Sequence, residues 1–190
     1  MRRLLESLPY FAGFLTLIGA CNGAGNDPAA PTDTRPLQFA ATPLRFEDPS
    51  IGCRFALAGR DLRTRINHFD PTSPPHKIKH AIELDGIGGP LLRVDVWTRS
   101  DAEPLQTWFD QHLAFSVNAG ATVEHRLVGK AGVEAIVVNQ IRTPQSPARQ
   151  IVTFALGQQI YRSTCYDRED PTSMLVLQTV LASFESEVQR

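Results

Sequence analysis

This sequence predicts an α+β fold in which one curved antiparallel sheet is covered by two main helices, and three observations carry that reading. Apolar residues alternate with polar ones over a series of short segments between positions 44 and 166. Two stretches, "SDAEPLQTWFDQHLAFSV" and "DPTSMLVLQTVLASFESEV", instead space their apolar residues as a helix does. Turn residues separate most consecutive strands closely enough for hairpins, which leaves few crossovers and points to an α+β sandwich.

The chain opens outside that fold. Met1, Arg2 and Arg3 precede an apolar run from Leu8 to Ala20. A positive start followed by a short apolar stretch is the layout of an export signal. As a helix the run would reach only about 20 Å, too short for a hydrocarbon core of about 30 Å. Ile18, Gly19, Ala20 and Cys21 close the run: an aliphatic residue, two small ones and a cysteine. This resembles the lipobox of bacterial lipoprotein precursors. The resemblance implies lipidation of the Cys21 sulfur, cleavage before it and acylation of the new amino terminus, so that more than one acyl chain holds the protein at the membrane. A plain cleaved signal is the competing reading. Asn22, in place of Asp, implies release to the outer membrane by the same resemblance. Residues 1–20 are thus expected to be a lipoprotein signal peptide and residues 21–43 a flexible tether, since they are rich in Gly, Pro, Ala and Asp without apolar periodicity. Residues 44–187 then form a single domain.

Within that domain "LRFED" and "GCRFALA" alternate, the latter placing Cys53, Phe55 and Leu57 on one face. "LRTRINHF" extends as a further strand. "HKIKHAIELDGIGGPLLRVDVWTR" reads as an antiparallel hairpin around "DGIGGP", with Ile78, Ile82 and Leu84 on one face, Leu92, Val94 and Val96 on the return, and the other side wet. The first helix carries Leu105, Trp108, Phe109, His112 and Leu113 as a stripe. Ser100 and Glu103 match a capping box, Pro104 suits the first turn, and Asn118 and Gly120 close it. "TVEHRLV", "VEAIVVNQI", "QIVTFAL" and "QIYRSTCYD" supply four more strands in hairpins. The final helix begins with Asp170 as cap and Pro171 at its first position, and its stripe is Leu177, Val180, Leu181 and Phe184. In element order, and in "FEDPSIGCRFAL", "LVGKAGVEAIV", "QIYRSTC" and "VLASF", the chain from Phe46 to Phe184 resembles the PsbP-like domains, including the DcrB-like group of bacterial lipoproteins. That resemblance implies a PsbP-like α/β sandwich and an accessory role. "ALAGRDLRTR" departs from the pattern in lacking a Pro and a Trp.

Charge and motifs exclude more than they assign. The 19 Lys and Arg against 20 Asp and Glu give a formal net charge of −1, no footprint for nucleic acid. Cys53 and Cys165, 112 residues apart, are disulfide candidates in an oxidising compartment. A bond closing that loop would stabilise by about 4–5 kcal/mol in the chain-entropy model; two buried thiols packing as small hydrophobes is the alternative. His76 and His80 would share a metal on a helix but lie about 13 Å apart on a strand. The alternation of Ile78, Ile82 and Leu84 favours the strand, while Pro74-Pro75 leaves a helix start open. His68 and Asp70 read as a solvated loop, so no metal site is expected. H-E-x-x-H, G-x-S-x-G and C-x-x-C are absent from the sequence. "VGKAG" lacks the Ser or Thr of a phosphate loop, and "DGIGGP" leads into a strand rather than the helix of a dinucleotide site. No cofactor or catalytic residue is therefore expected. Trp97, Tyr161 and Tyr166 serve either as packing groups or as a binding surface. Three functions follow: a lipid-anchored, non-enzymatic envelope module binding or assembling with an envelope protein partner; an envelope hydrolase with dispersed acid–base residues; and a small-ligand or metal binder.

Overall fold

The structure, a computed structural model, describes residues 44–70, 72, 77–99 and 103–186. The leader, Cys21, the tether, His76 and Ser100 lie outside the described residues.

Seven strands form the main sheet. They are β3 (Arg63–His68), β4 (His80–Gly86), β5 (Gly89–Thr98), β6 (Thr122–Val128), β7 (Val133–Gln140), β8 (Arg149–Leu156) and β9 (Gln159–Cys165), in the spatial order β3-β4-β5-β9-β8-β7-β6. Every pairing is antiparallel. Two hairpin-rich runs thus meet where β5 pairs with β9. A second sheet, absent from the sequence reading, holds β1 (Arg45–Asp48), β2 (Cys53–Ala56) and the two-residue β10 (Glu185–Ser186), with β2 in the middle.

The helices cover the two faces of the main sheet. α2 (Pro171–Ser183) packs on the face bearing Ile82, Leu84, Leu92, Val94 and Val96, and the same core takes in Cys53 and Phe55 of β2. α1 (Leu105–His112) packs on the other face, where Trp108, Phe109 and Leu113 meet Trp97, Ile136, Val138 and Ile160. The expected α+β sandwich is therefore present, with one helix to each face.

α2 starts as its sequence dictates. The Asp170 side chain accepts bonds from the Thr172 and Ser173 amides, and Pro171, which has no amide hydrogen to leave orphaned, takes the first position. α1 differs from expectation. It begins at Leu105, so Pro104 sits at the cap position rather than in the first turn, and no side chain caps it. It ends at His112, followed by one 3-10 turn over Ala114–Ser116; Gly120, with φ of 85°, belongs to the turn into β6. Its stripe is as read, and the Trp108 ring lies edge-on to Trp97 at 5.5 Å. Ile78 also differs: β4 starts only at His80, and Ile78 packs with the α1 cluster instead of joining Ile82 and Leu84.

The side of the β4–β5 hairpin expected to be wet carries a ladder of charges. Arg65 reaches Glu83 at 2.9 Å, Glu83 reaches Arg93 at 3.3 Å, and Asp95 takes both Arg93 at 2.6 Å and Arg162 at 2.8 Å. Asp95 is 1% exposed, and Arg162 lies over the Trp97 ring at 4.9 Å. The polar face is thus sealed around Asp95 by two guanidinium groups and an indole.

Candidate functional site

Three segments distant in sequence meet at one end of the α2 face and leave an apolar groove of ≈ 470 Å³. The loop before β3 supplies Leu62, the β4–β5 turn supplies Ile87, the start of β5 supplies Leu91, and the start of α2 supplies Leu175 and Val176. Local chemistry explains each wall. Gly89, with φ of 125°, makes the tight turn after Ile87 possible. The register slips between Leu84 and Asp85: Leu84 pairs with Leu92 but Asp85 with Pro90, so Leu91 is the extra residue of a bulge. A bulge re-aims a side chain, and here it turns Leu91 toward the groove. The Leu91 carbonyl is held by the Tyr166 amide at 3.1 Å. Ile87 is 95% exposed and Leu175 55%, so two large apolar side chains stand at the rim in water. Next to it, Arg60, Asp61 and Arg63 line a more polar extension that shares Leu62 and Ile87.

Asp61 and Asp170 bring carboxylates to the groove. Asp170 is committed to the helix. Its oxygens take the Ser173 hydroxyl at 2.7 Å and amide at 2.8 Å, and these bonds, the hydroxyl foremost, hold its pKa below the usual carboxylate value. A carboxylate so engaged is an acceptor in a cap rather than a proton carrier. What the walls present to a ligand is chiefly apolar surface beside two guanidinium groups and the Asp61 carboxylate.

Of the residues singled out in the sequence, His68 and His80 are brought together. They are cross-strand partners at the end of β3 and β4, their Nδ1 atoms 3.0 Å apart and their rings edge-to-face. Burial, and then the neighbouring His68, lowers the His80 pKa, against the opposing field of Asp48. Two nitrogens fall short of the four ligands of a structural zinc site, and among the described residues no set of three His, Cys, Asp or Glu side chains converges to hold a metal. Asp70 turns instead to Thr72, whose hydroxyl it accepts at 2.7 Å.

Cys53 and Cys165 are both thiols, both fully buried in the α2-side core, one on each sheet. The Cys165 sulfur lies 3.9 Å from that of Met174, and burial pushes its pKa up to about 11. Trp97 and Tyr161 are packing groups, 3% and 0% exposed. The Tyr161 ring lies 4.7 Å from Phe184, its hydroxyl donates to Gln159, and burial raises its pKa. Tyr166 follows β9 and carries the Arg149 guanidinium over its ring at 5.8 Å. The groove itself was missed in the sequence, and its only local signals were the glycines around Ile87.

The arrangement as a whole defines the class: an α+β sandwich of a seven-stranded antiparallel sheet between two helices, with a minor sheet beside it. Among solved structures the chain is similar to cyanobacterial PsbP (CyanoP) from Synechocystis sp. PCC 6803, with a TM-score of 0.50 and 11% sequence identity, over 83% of this chain and 99% of that one. The likeness shows the PsbP-like fold. Neither a protein-family model nor a curated protein matches the sequence.

Proposed function

We propose that this chain is an exported, lipid-anchored bacterial envelope protein whose PsbP-like domain is a non-enzymatic accessory module, joined to an envelope protein partner through the groove beside α2. The groove carries the proposal. It exposes Ile87 and Leu175 at its rim, and one of its two carboxylates, Asp170, is tied into a cap. Exposed apolar surface of that kind marks interaction sites and ligand-binding grooves. Arg60 and Arg63 alongside outnumber the single Asp61 and favour a segment that pairs an apolar side chain with an acidic one. Support for the anchor is the run Ile18-Gly19-Ala20-Cys21 at the end of a charged and then apolar leader.

The test is a photo-crosslinking residue at Ile87 in intact cells. One protein should be recovered reproducibly, and its yield should collapse when Leu175→Asp is added. Recovery of nothing, or a yield indifferent to Leu175→Asp, overturns the docking role. Intact-mass spectrometry of the native protein should give a chain that begins at an acylated Cys21; a bare sulfur or a retained leader removes the anchor.

One observation favours a second reading. A groove of ≈ 470 Å³ falls within the range of small-molecule sites. An apolar ligand there would raise the melting temperature of the purified protein in a ligand panel, and Leu175→Asp would abolish the rise.

A further inference from the structure

The main sheet has two edges, and they differ in kind. At one, β3 carries Arg63, Arg65 and His68 and no acidic residue, so two copies of it would set like charges side by side. At the other, β6 reads Thr122-Val123-Glu124-His125-Arg126-Leu127-Val128, and among the described residues no strand pairs with its outer side. On the α1 face of β6, Val123 is 48% and Leu127 74% exposed, large apolar groups left in water at a sheet margin.

We infer that β6 is a self-association edge, which pairs antiparallel with β6 of a second copy about a two-fold axis through His125. The sequence of the strand is complementary to itself in that register. Val123 falls opposite Leu127 of the second copy, Glu124 opposite its Arg126, His125 opposite its own counterpart, and Thr122 opposite Val128. Side chains alternate between faces, so the partners sort cleanly. One face gathers two Val123–Leu127 contacts around the paired histidines. The other carries two Glu124–Arg126 ion pairs. Within one chain Glu124 and Arg126 already lie 2.8 Å apart, so in the dimer the four charges form one alternating cluster. His125 lies 3.2 Å from Glu134 of β7, which places an acceptor beside the central imidazoles. A shift of register by two residues would set Glu124 against its own copy or Arg126 against its own, so the charges select this alignment. The result is a continuous sheet across two chains, the closed two-fold arrangement most common among homo-oligomers.

The experiment uses the full chain purified in a mild nonionic detergent, with mass measured by sedimentation over a range of concentrations. A concentration-dependent monomer–dimer equilibrium is expected. Glu124→Arg alone and Arg126→Glu alone should each weaken it roughly tenfold, since each substitution sets like charges opposite twice by symmetry. The double variant Glu124→Arg with Arg126→Glu should restore it. Register is read separately: His125→Cys should form an intermolecular disulfide readily, while Arg126→Cys, displaced along the strand from its own copy, should not. A monomer at every concentration, single charge reversals without effect, a double reversal that fails to restore association, or equal crosslinking by the two cysteine variants overturns the inference. The melting temperature of each variant separates loss of pairing from loss of folding.

Discussion

Cys165 is held at zero exposure against Met174, and its pKa is raised to about 11 by burial. The thiolate, not the thiol, is the attacking species. In folded protein at pH 8, Cys165 should therefore resist alkylation, and it should react once the chain is denatured; peptide mass mapping of the alkylated cysteine checks both. His80 gives a pH effect of definite sign. Its pKa is lowered on folding, chiefly by burial and then by His68. The unfolded chain thus takes up the proton first, and stability falls as pH drops below about 6.5, the ordinary imidazole value. The loss is complete once pH is below the folded-state value. His80→Gln should flatten this part of the melting-temperature profile between pH 7 and pH 5 without moving it above pH 7. The sequence offered both histidines but joined neither to the other. His80 was weighed with His76 and His68 with Asp70, because sequence distance shows near neighbours, whereas the β3–β4 register is what puts His68 beside His80.

At the level of elements, what was legible depended on how local the signal is. The start of α2 could be read to the residue because an aspartate cap and a first-position proline act within one turn, but its end could not: the helix stops at Ser183, Phe184 lies past it, and Glu185–Ser186 pair with β2 as a strand. The start of α1 could not, since Pro104 fits either just before a helix or just inside it. The groove was invisible because its walls come from residues 58–62, 86–91 and 170–176, and nothing in any one of them announces the others. The charge ladder was hidden in the same way: Asp95 looked like one of the polar positions of a solvated strand. Its burial between Arg93 and Arg162 leads to a prediction at this scale. Asp95→Ala leaves the partly exposed Arg162 without its anion and Arg93 with Glu83 alone, and losing one partner of such a bonded group costs about 1–3 kcal/mol. Urea denaturation of wild type and variant measures it. Replacing Arg65, at the exposed end of the ladder, should leave the urea midpoint nearly unchanged.

Across the whole molecule, Phe184 ties the layers together. Its ring lies 5.6 Å from Phe55 of the minor sheet, 5.0 Å from Phe154 and 4.7 Å from Tyr161 of the main sheet, at the end of α2. Phe184→Ala opens a cavity at that junction and should cost about 3–5 kcal/mol. Because both sheets share one core, the variant should still unfold in a single transition, with fluorescence and circular dichroism giving the same midpoint. Two midpoints would mean that the minor sheet melts by itself.

The placement of β10 has a consequence for how the chain is made. β2 lies between β1, joined to it by a tight turn that sets Asp48 opposite Cys53, and β10, whose Glu185 accepts from Arg54 across a separation of 131 residues. A ribosome releases β2 before the strands of the large sheet and β10 after them. During synthesis β2 therefore waits with one flank bare while the entire large sheet emerges, and only the final turn of α2 brings the latch that closes it.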